Sequence, residues 1–106
     1  MALNKSKLTI VIPARNEDRV IGKTISQIRQ ELRTPYDILV VNDHSTDYTV
    51  KVVKDLALKD KHIKIISNEG EAGFGNTLLL GLKTASKNSE YLLPMMADLC
   101  DDPKTI

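Results

Sequence analysis

Three short polar runs, each directly after an apolar stretch, hold the chain's best candidates for chemistry. Pro13-Ala14-Arg15-Asn16-Glu17 follows Leu8–Ile12, Asn42-Asp43-His44-Ser45-Thr46-Asp47 follows Ile38–Val41, and Asp98 through Asp102 follows the apolar run that begins at Tyr91. A buried strand ending in such a run delivers carboxylates, amides and hydroxyls to the carboxyl edge of a sheet, where open α/β sheets bind phosphorylated ligands and metals. The convergence of the three runs on one crevice is the signal, more than any single residue in them.

Within those runs the residue types suggest different work. Asp98 is the metal candidate, because a hard divalent cation bridging a diphosphate takes oxygen ligands and needs only one or two carboxylates from the protein. Asp101 and Asp102 either assist it or form a solvated turn with Pro103. Asp43 follows four apolar residues and should emerge at the sheet edge, where its carboxylate can accept an imide or amino hydrogen from a base. Glu17 can meet a ribose or a base, although a helix N-terminus also favours an acidic residue. Asn16, Ser45 and Asp47 are helix-capping types, and capping alone accounts for Ser45 and Asp47 as well as ligand binding does.

Other polar features carry less. His44 can hydrogen-bond a phosphate or simply lie on a surface loop, and His62, ahead of a strand, has no assigned role. Cys100 has no second cysteine and no neighbouring histidine in sequence, so it is read as a bystander. Asn68 through Asn76, with glycines at 70, 73 and 75, resembles a phosphate-cradling loop at a helix start. It lacks the Gly-Lys-Ser/Thr ending of a P-loop and the spacing of a dinucleotide fingerprint, and glycines easing a tight turn explain it equally well.

The elements that position these runs alternate strand and helix. Leu8–Ile12 reads as a short strand, apolar on both faces and stopped by Pro13. Asn16, Glu17 and Asp18 are expected to form the cap and acidic first turn of a helix whose face is Ile21, Ile25, Ile28 and Leu32, ending before Pro35. Tyr36–Val41 is the second strand, and a helix from about Tyr48 to Lys59 presents Val50, Val53 and Ala57. Ile63–Ile66 is the third strand, followed by a helix with Leu78, Leu82 and Ala85 on one face, and Tyr91–Met96 is a fourth, buried strand. The resulting β-α-β-α-β-α-β order predicts an α/β fold, a Rossmann-like three-layer α/β/α arrangement with a mainly parallel sheet.

Composition limits the classes that remain. The chain has 106 residues, 42% hydrophobic and 27% charged, which suits one small domain with a single core. A formal charge of +1 provides no global field to recruit nucleic acid or an anionic membrane, so anion binding must be local. The single cysteine fits a reducing compartment, and the cytoplasm is the expected location. No apolar run approaches the ~20 residues of a membrane span, and no targeting segment is recognisable. Because Pro103 would suit the start of another helix, the chain reads as a domain truncated at its C-terminus.

Val11 through Glu17, Val40 through Thr49, Asn68 through Asn76 and Met96 through Pro103 together resemble, in order and spacing, the family 2 inverting glycosyltransferases, and within them the dolichol-phosphate mannose synthase group. The resemblance covers essentially the whole chain. It implies that residues 1–106 are the nucleotide-diphosphate-sugar-binding half of a GT-A fold. Pro13, Ala14, Asn16 and Glu17 match the first nucleotide-contacting loop, and Asp43 matches the aspartate that reads the base. Asp98 matches the last acidic residue of the Asp-X-Asp motif that holds Mg or Mn against the diphosphate.

The implied reaction is metal-assisted inverting transfer of a sugar to an acceptor such as a polyprenyl or dolichyl phosphate, at the cytoplasmic face of a membrane. Met96 departs from the pattern where the family commonly has the motif's first aspartate, and a thioether cannot serve as a hard-cation ligand. No catalytic base is assignable in this chain, and the isolated piece is expected not to turn over. The alternatives are a non-catalytic nucleotide-sugar-binding domain and a sugar nucleotidyltransferase. The second would open with a glycine-rich basic loop where this chain has Pro13-Ala14-Arg15-Asn16-Glu17. A receiver-like signalling domain would need an acidic pair directly after the first strand.

Overall fold

The β-branched, apolar centres of the first two strands, Thr9–Ile12 and Ile38–Val41, are buried on both faces, as a sheet covered on both sides requires. The computed structural model describes residues 6–32 and 35–98. In order these are β1 (Ser6–Ala14), α1 (Ile21–Glu31), β2 (Tyr36–Asn42), α2 (Thr49–Lys59), β3 (Ile63–Ser67), α3 (Phe74–Ala85) and β4 (Ser89–Pro94). The strands form one sheet in the order β3-β2-β1-β4, and every neighbouring pair is parallel.

Side-chain alternation along β1 and β2 sorts the core into two halves. Ile10, Ile12, Ile38 and Val40 pack with Ile21, Ile25 and Ile28 of α1 and Val53 of α2 on one face. Val11, Leu39 and Val41 face the other way, toward Leu78, Leu82 and Ala85 of α3. Two helices, a sheet and one helix therefore make the three layers expected. α3 lies close on its side because position 81 is glycine: a Cβ there would sit 2.5 Å from Val11 Cγ1 and 2.7 Å from Val41 Cγ2.

Several local expectations change. β1 runs through Pro13 to Ala14 rather than stopping at the proline. Its pairing with β4 ends at Val11, whose carbonyl accepts the Met95 amide at 2.9 Å. The donor that Pro13 lacks thus falls beyond the end of that ladder, where its loss costs little. α1 begins at Ile21 with no acidic residue in its first turn and no side-chain cap. Asn16, Glu17 and Asp18 lie in the preceding loop, and the Glu17 carbonyl accepts the amides of Val20 and Ile21 at 3.1 and 2.8 Å.

β4 also departs from expectation. It is the outer strand of the described sheet, with Tyr91 65% exposed and Leu93 also exposed, rather than a buried strand. It ends at Pro94, and Met95 and Met96 belong to the segment that follows. The expectations for Cys100, Asp101, Asp102 and Pro103 lie outside the described residues. Among the described residues no helix is long and apolar enough to cross a membrane.

Candidate functional site

The strand order locates the crevice. The chain steps from β1 outward to β2 and β3, then returns to the opposite side of β1 as β4. This reversal opens a gap at the carboxyl ends of β1 and β4, the place where open α/β sheets take ligands. The loops after β1, β2 and β4 and the N-terminal end of α3 surround it.

A dense set of hydrogen bonds joins the first two loops. Asn16 has the left-handed φ of 54°, which asparagine tolerates better than most residues. Its amide donates to Ser45 Oγ at 3.0 Å, and its Oδ1 accepts from the Thr46 amide at 2.7 Å. The Glu17 amide donates to Thr49 Oγ1 at 2.8 Å, the Asp18 amide to Asp47 Oδ2 at 3.2 Å, and the Tyr48 amide to Asp18 Oδ2 at 3.1 Å. Asp47 Oδ1 accepts the Thr49 amide at 2.9 Å in the turn that leads into α2, whose N-cap position, Tyr48, makes no side-chain cap, and Ser45 closes the loop junction. Burial opposes the charge on Asp47, but bonds from the Thr49 hydroxyl and amide and from Asp18 outweigh it and hold the carboxyl below its ordinary range.

Asp43 is placed differently. It is 4% exposed, and its amide donates to the Ala14 carbonyl at 2.8 Å, which fixes it at the end of the sheet. Its Oδ2 accepts the Gly73 amide at 3.1 Å, while Oδ1 is buried with no hydrogen-bond partner. Buried polar atoms are nearly always paired, so an orphaned carboxylate oxygen on a residue that lines a cavity points to a missing donor. That cavity, about 200 Å³, is lined by Pro13, Ala14, Arg15, Asp43, Gly73 and Phe74. Gly73 can hold φ 139° only because it lacks a Cβ, and Phe74 just after it is 55% exposed.

Two further cavities continue the crevice. One of about 170 Å³ shares Pro13, Arg15 and Phe74 with the first and adds Glu17, Met96 and Asp98. Another of about 280 Å³ shares Glu17 and Asp98 and adds Asn16, Arg19 and Lys23. Pro13, Ala14, Asn16, Glu17, Asp43 and Asp98 are therefore brought to one continuous surface, although Asn16 and Glu17 also serve the loop junction. Sequence reading gave Arg15 and Phe74 no role of their own and read Gly73 only as part of a phosphate-cradling loop or a tight turn. The available signal was a glycine followed by an aromatic at a helix start, which becomes informative once Asp43 is known to lie opposite.

The donor set for a divalent cation is sparse. Among the described residues no group of three or more His, Cys, Asp and Glu could hold a metal. Asp98, exposed at the crevice, fits a cation that brings most of its oxygens with it from a diphosphate and water, and Met96 adds no hard ligand.

A parallel Rossmann-like half-sheet with its crevice at the β1/β4 reversal has the architecture of GT-A glycosyltransferases. The chain belongs to glycosyl transferase family 2, whose model matches residues 9–106. It is 35% identical over 99 residues to an uncharacterized glycosyltransferase of Haemophilus influenzae, covering 93% of this chain and 30% of that protein. It is 30% identical over 101 residues to the uncharacterized glycosyltransferase YkcC of Bacillus subtilis, covering 92% and 31%. The chain thus spans about a third of the length of these relatives. Among solved structures it is similar to Staphylococcus aureus TarS residues 1–349 in complex with UDP-GlcNAc, with TM-score 0.72 and 27% identity over 87% of this chain and 26% of that one.

Proposed function

We propose that this chain is the donor-binding part of a glycosyltransferase that uses a uridine diphosphate sugar. The observation that carries the proposal is the buried, unpartnered Oδ1 of Asp43, a residue that lines a cavity together with the exposed Phe74. An apolar wall accepts the face of a flat heterocycle. One free carboxylate oxygen, its partner already committed to Gly73, suits a base that presents a single imide N–H. Guanine presents two adjacent donors and would use both oxygens. The TarS complexes with UDP and UDP-GlcNAc support the same choice.

From the base cavity the ligand extends along Arg15, Met96 and Asp98. Asp98 would hold a divalent cation, Mg or Mn, which supplies charge neutralisation at the departing diphosphate. Pro13, Ala14, Asn16 and Glu17 shape the floor and rim between base and diphosphate. In the reaction an acceptor oxygen bonds to the anomeric carbon from the face opposite the leaving group. The bond from that carbon to the diphosphate oxygen breaks, and the nucleoside diphosphate leaves with its electron pair. The resemblance to dolichol-phosphate mannose synthases adds a lipid phosphate as the acceptor class and the cytoplasmic face of a membrane as the place of work. Met96 at the crevice favours a second reading, a nucleotide-sugar binder without transfer activity.

Calorimetric titration with UDP, GDP and their sugar conjugates, with and without Mn, tests the proposal against Asp98→Ala. UDP should bind more tightly than GDP, and Mn should strengthen binding in the wild type but not in Asp98→Ala. A folded wild-type chain that binds no nucleotide overturns the reading.

A further inference from the structure

We propose that His44 is a positioning residue that latches the glycine-rich loop over the base cavity; the proposal rests on the donor-site reading. His44 has φ 56°, a left-handed backbone that a residue with a Cβ adopts only at a cost. Its ring spans from the loop after β2 to the loop after β3, with Nε2 2.8 Å from the Gly70 carbonyl oxygen. A carbonyl only accepts, so Nε2 carries the proton and donates. The strained backbone aims the ring at that oxygen.

The latch matters because of what the loop carries. Asn68 braces the loop internally, accepting the Gly70 amide at 3.0 Å and donating to the Glu71 carbonyl at 2.8 Å. Those bonds shape the loop but do not tie it across to the β2 end. Past the root, where the Asn68 amide meets the Asn42 carbonyl, the hydrogen bonds across to the β2 end among the described residues are His44 to Gly70 and the Gly73 amide to Asp43 Oδ2. His44 takes one end of the span from Gly70 to Gly73, so Asp43 need not hold the loop with both oxygens. Phe74 follows directly, and the latch therefore also sets the cavity's aromatic wall.

His44→Gly removes the ring and relieves the backbone strain, so the fold is not threatened. His44→Gln keeps a donor of similar reach. Both variants and the wild type are measured by thermal unfolding, by amide hydrogen exchange at residues 70–73 and by UDP titration. His44→Gly should unfold at the wild-type temperature or above, yet exchange about two- to tenfold faster in the loop and bind UDP about two- to tenfold more weakly, the scale of one hydrogen bond. His44→Gln should recover part of both losses. Unchanged loop exchange in a His44→Gly chain that binds UDP overturns the latch. Faster exchange with unchanged UDP affinity overturns the positioning role. A wild type that binds no nucleotide overturns the donor-site reading and this role with it.

Discussion

Asp43→Asn should separate stability from binding. The Asp43 carboxylate is 4% exposed, with Oδ2 bonded to the Gly73 amide and Oδ1 unpartnered. Leaving a buried acceptor unsatisfied costs about 1–3 kcal/mol, a burden the ligand-free protein carries. Asparagine has nearly the same volume and can offer its carbonyl oxygen to Gly73, while its NH2 takes the place of Oδ1. Removing the buried charge should leave stability unchanged or raise it by about 1 kcal/mol, read by urea unfolding. In the complex the same NH2 would confront the imide N–H, donor against donor. A hydrogen bond to a charged group is worth about 1.5–3 kcal/mol, so UDP affinity should fall about ten- to hundredfold in a calorimetric titration. Affinity retained within about twofold refutes the assignment of Asp43 to the base. A stability loss above about 2 kcal/mol would show instead that its charge is structural.

Two other substitutions test the frame and the loop junction. Gly81→Ala would put a methyl 2.5 Å from Val11 Cγ1 and 2.7 Å from Val41 Cγ2, in contact with stiff β-branched side chains. Overpacking of about 1–3 kcal/mol should outweigh the helix-propensity gain of about 1 kcal/mol, and an alanine variant more stable in urea would refute the close packing of α3. Asp47, whose folded pKa is lowered, contributes stability that is fully present above its unfolded pKa of about 3.9. That contribution is lost as pH falls through the folded value, so the stability gap between wild type and Asp47→Ala should hold constant above about pH 5 and narrow below about pH 4. A gap that stays constant down to pH 2 would refute the charged clamp.

The α/β class was legible because β-branched runs and amphipathic helical spacing are local. Ile10, Val11 and Ile12 announce a strand covered on both faces, and Ile21, Ile25 and Ile28 announce the helix that covers one of them. Asp43 was legible for a related reason: four apolar residues before it place it where a strand ends. The acidic start assigned to α1 failed because Asp18 reaches across to the Tyr48 amide, and an equally local rule cannot see a partner thirty residues away. The exposure of β4 was hidden for a similar reason: an apolar run reads alike at the centre and the edge of a sheet, and only strand order shows that β4 is outermost among the described strands.

The residue sequence by itself determined which segments are strands, which are helices, and that polar groups gather where strands end. Those properties follow from neighbours a few positions apart, through periodicity and the turn preferences of proline, glycine and asparagine. Only the tertiary structure decided that Asp43 keeps one oxygen unpaired, that Arg15 and Phe74 share its cavity, and that His44 is spent on Gly70. Those pairings join loops separated by about thirty residues. They depend on the β3-β2-β1-β4 order, because strand adjacency rather than sequence adjacency sets which side chains come within hydrogen-bonding distance.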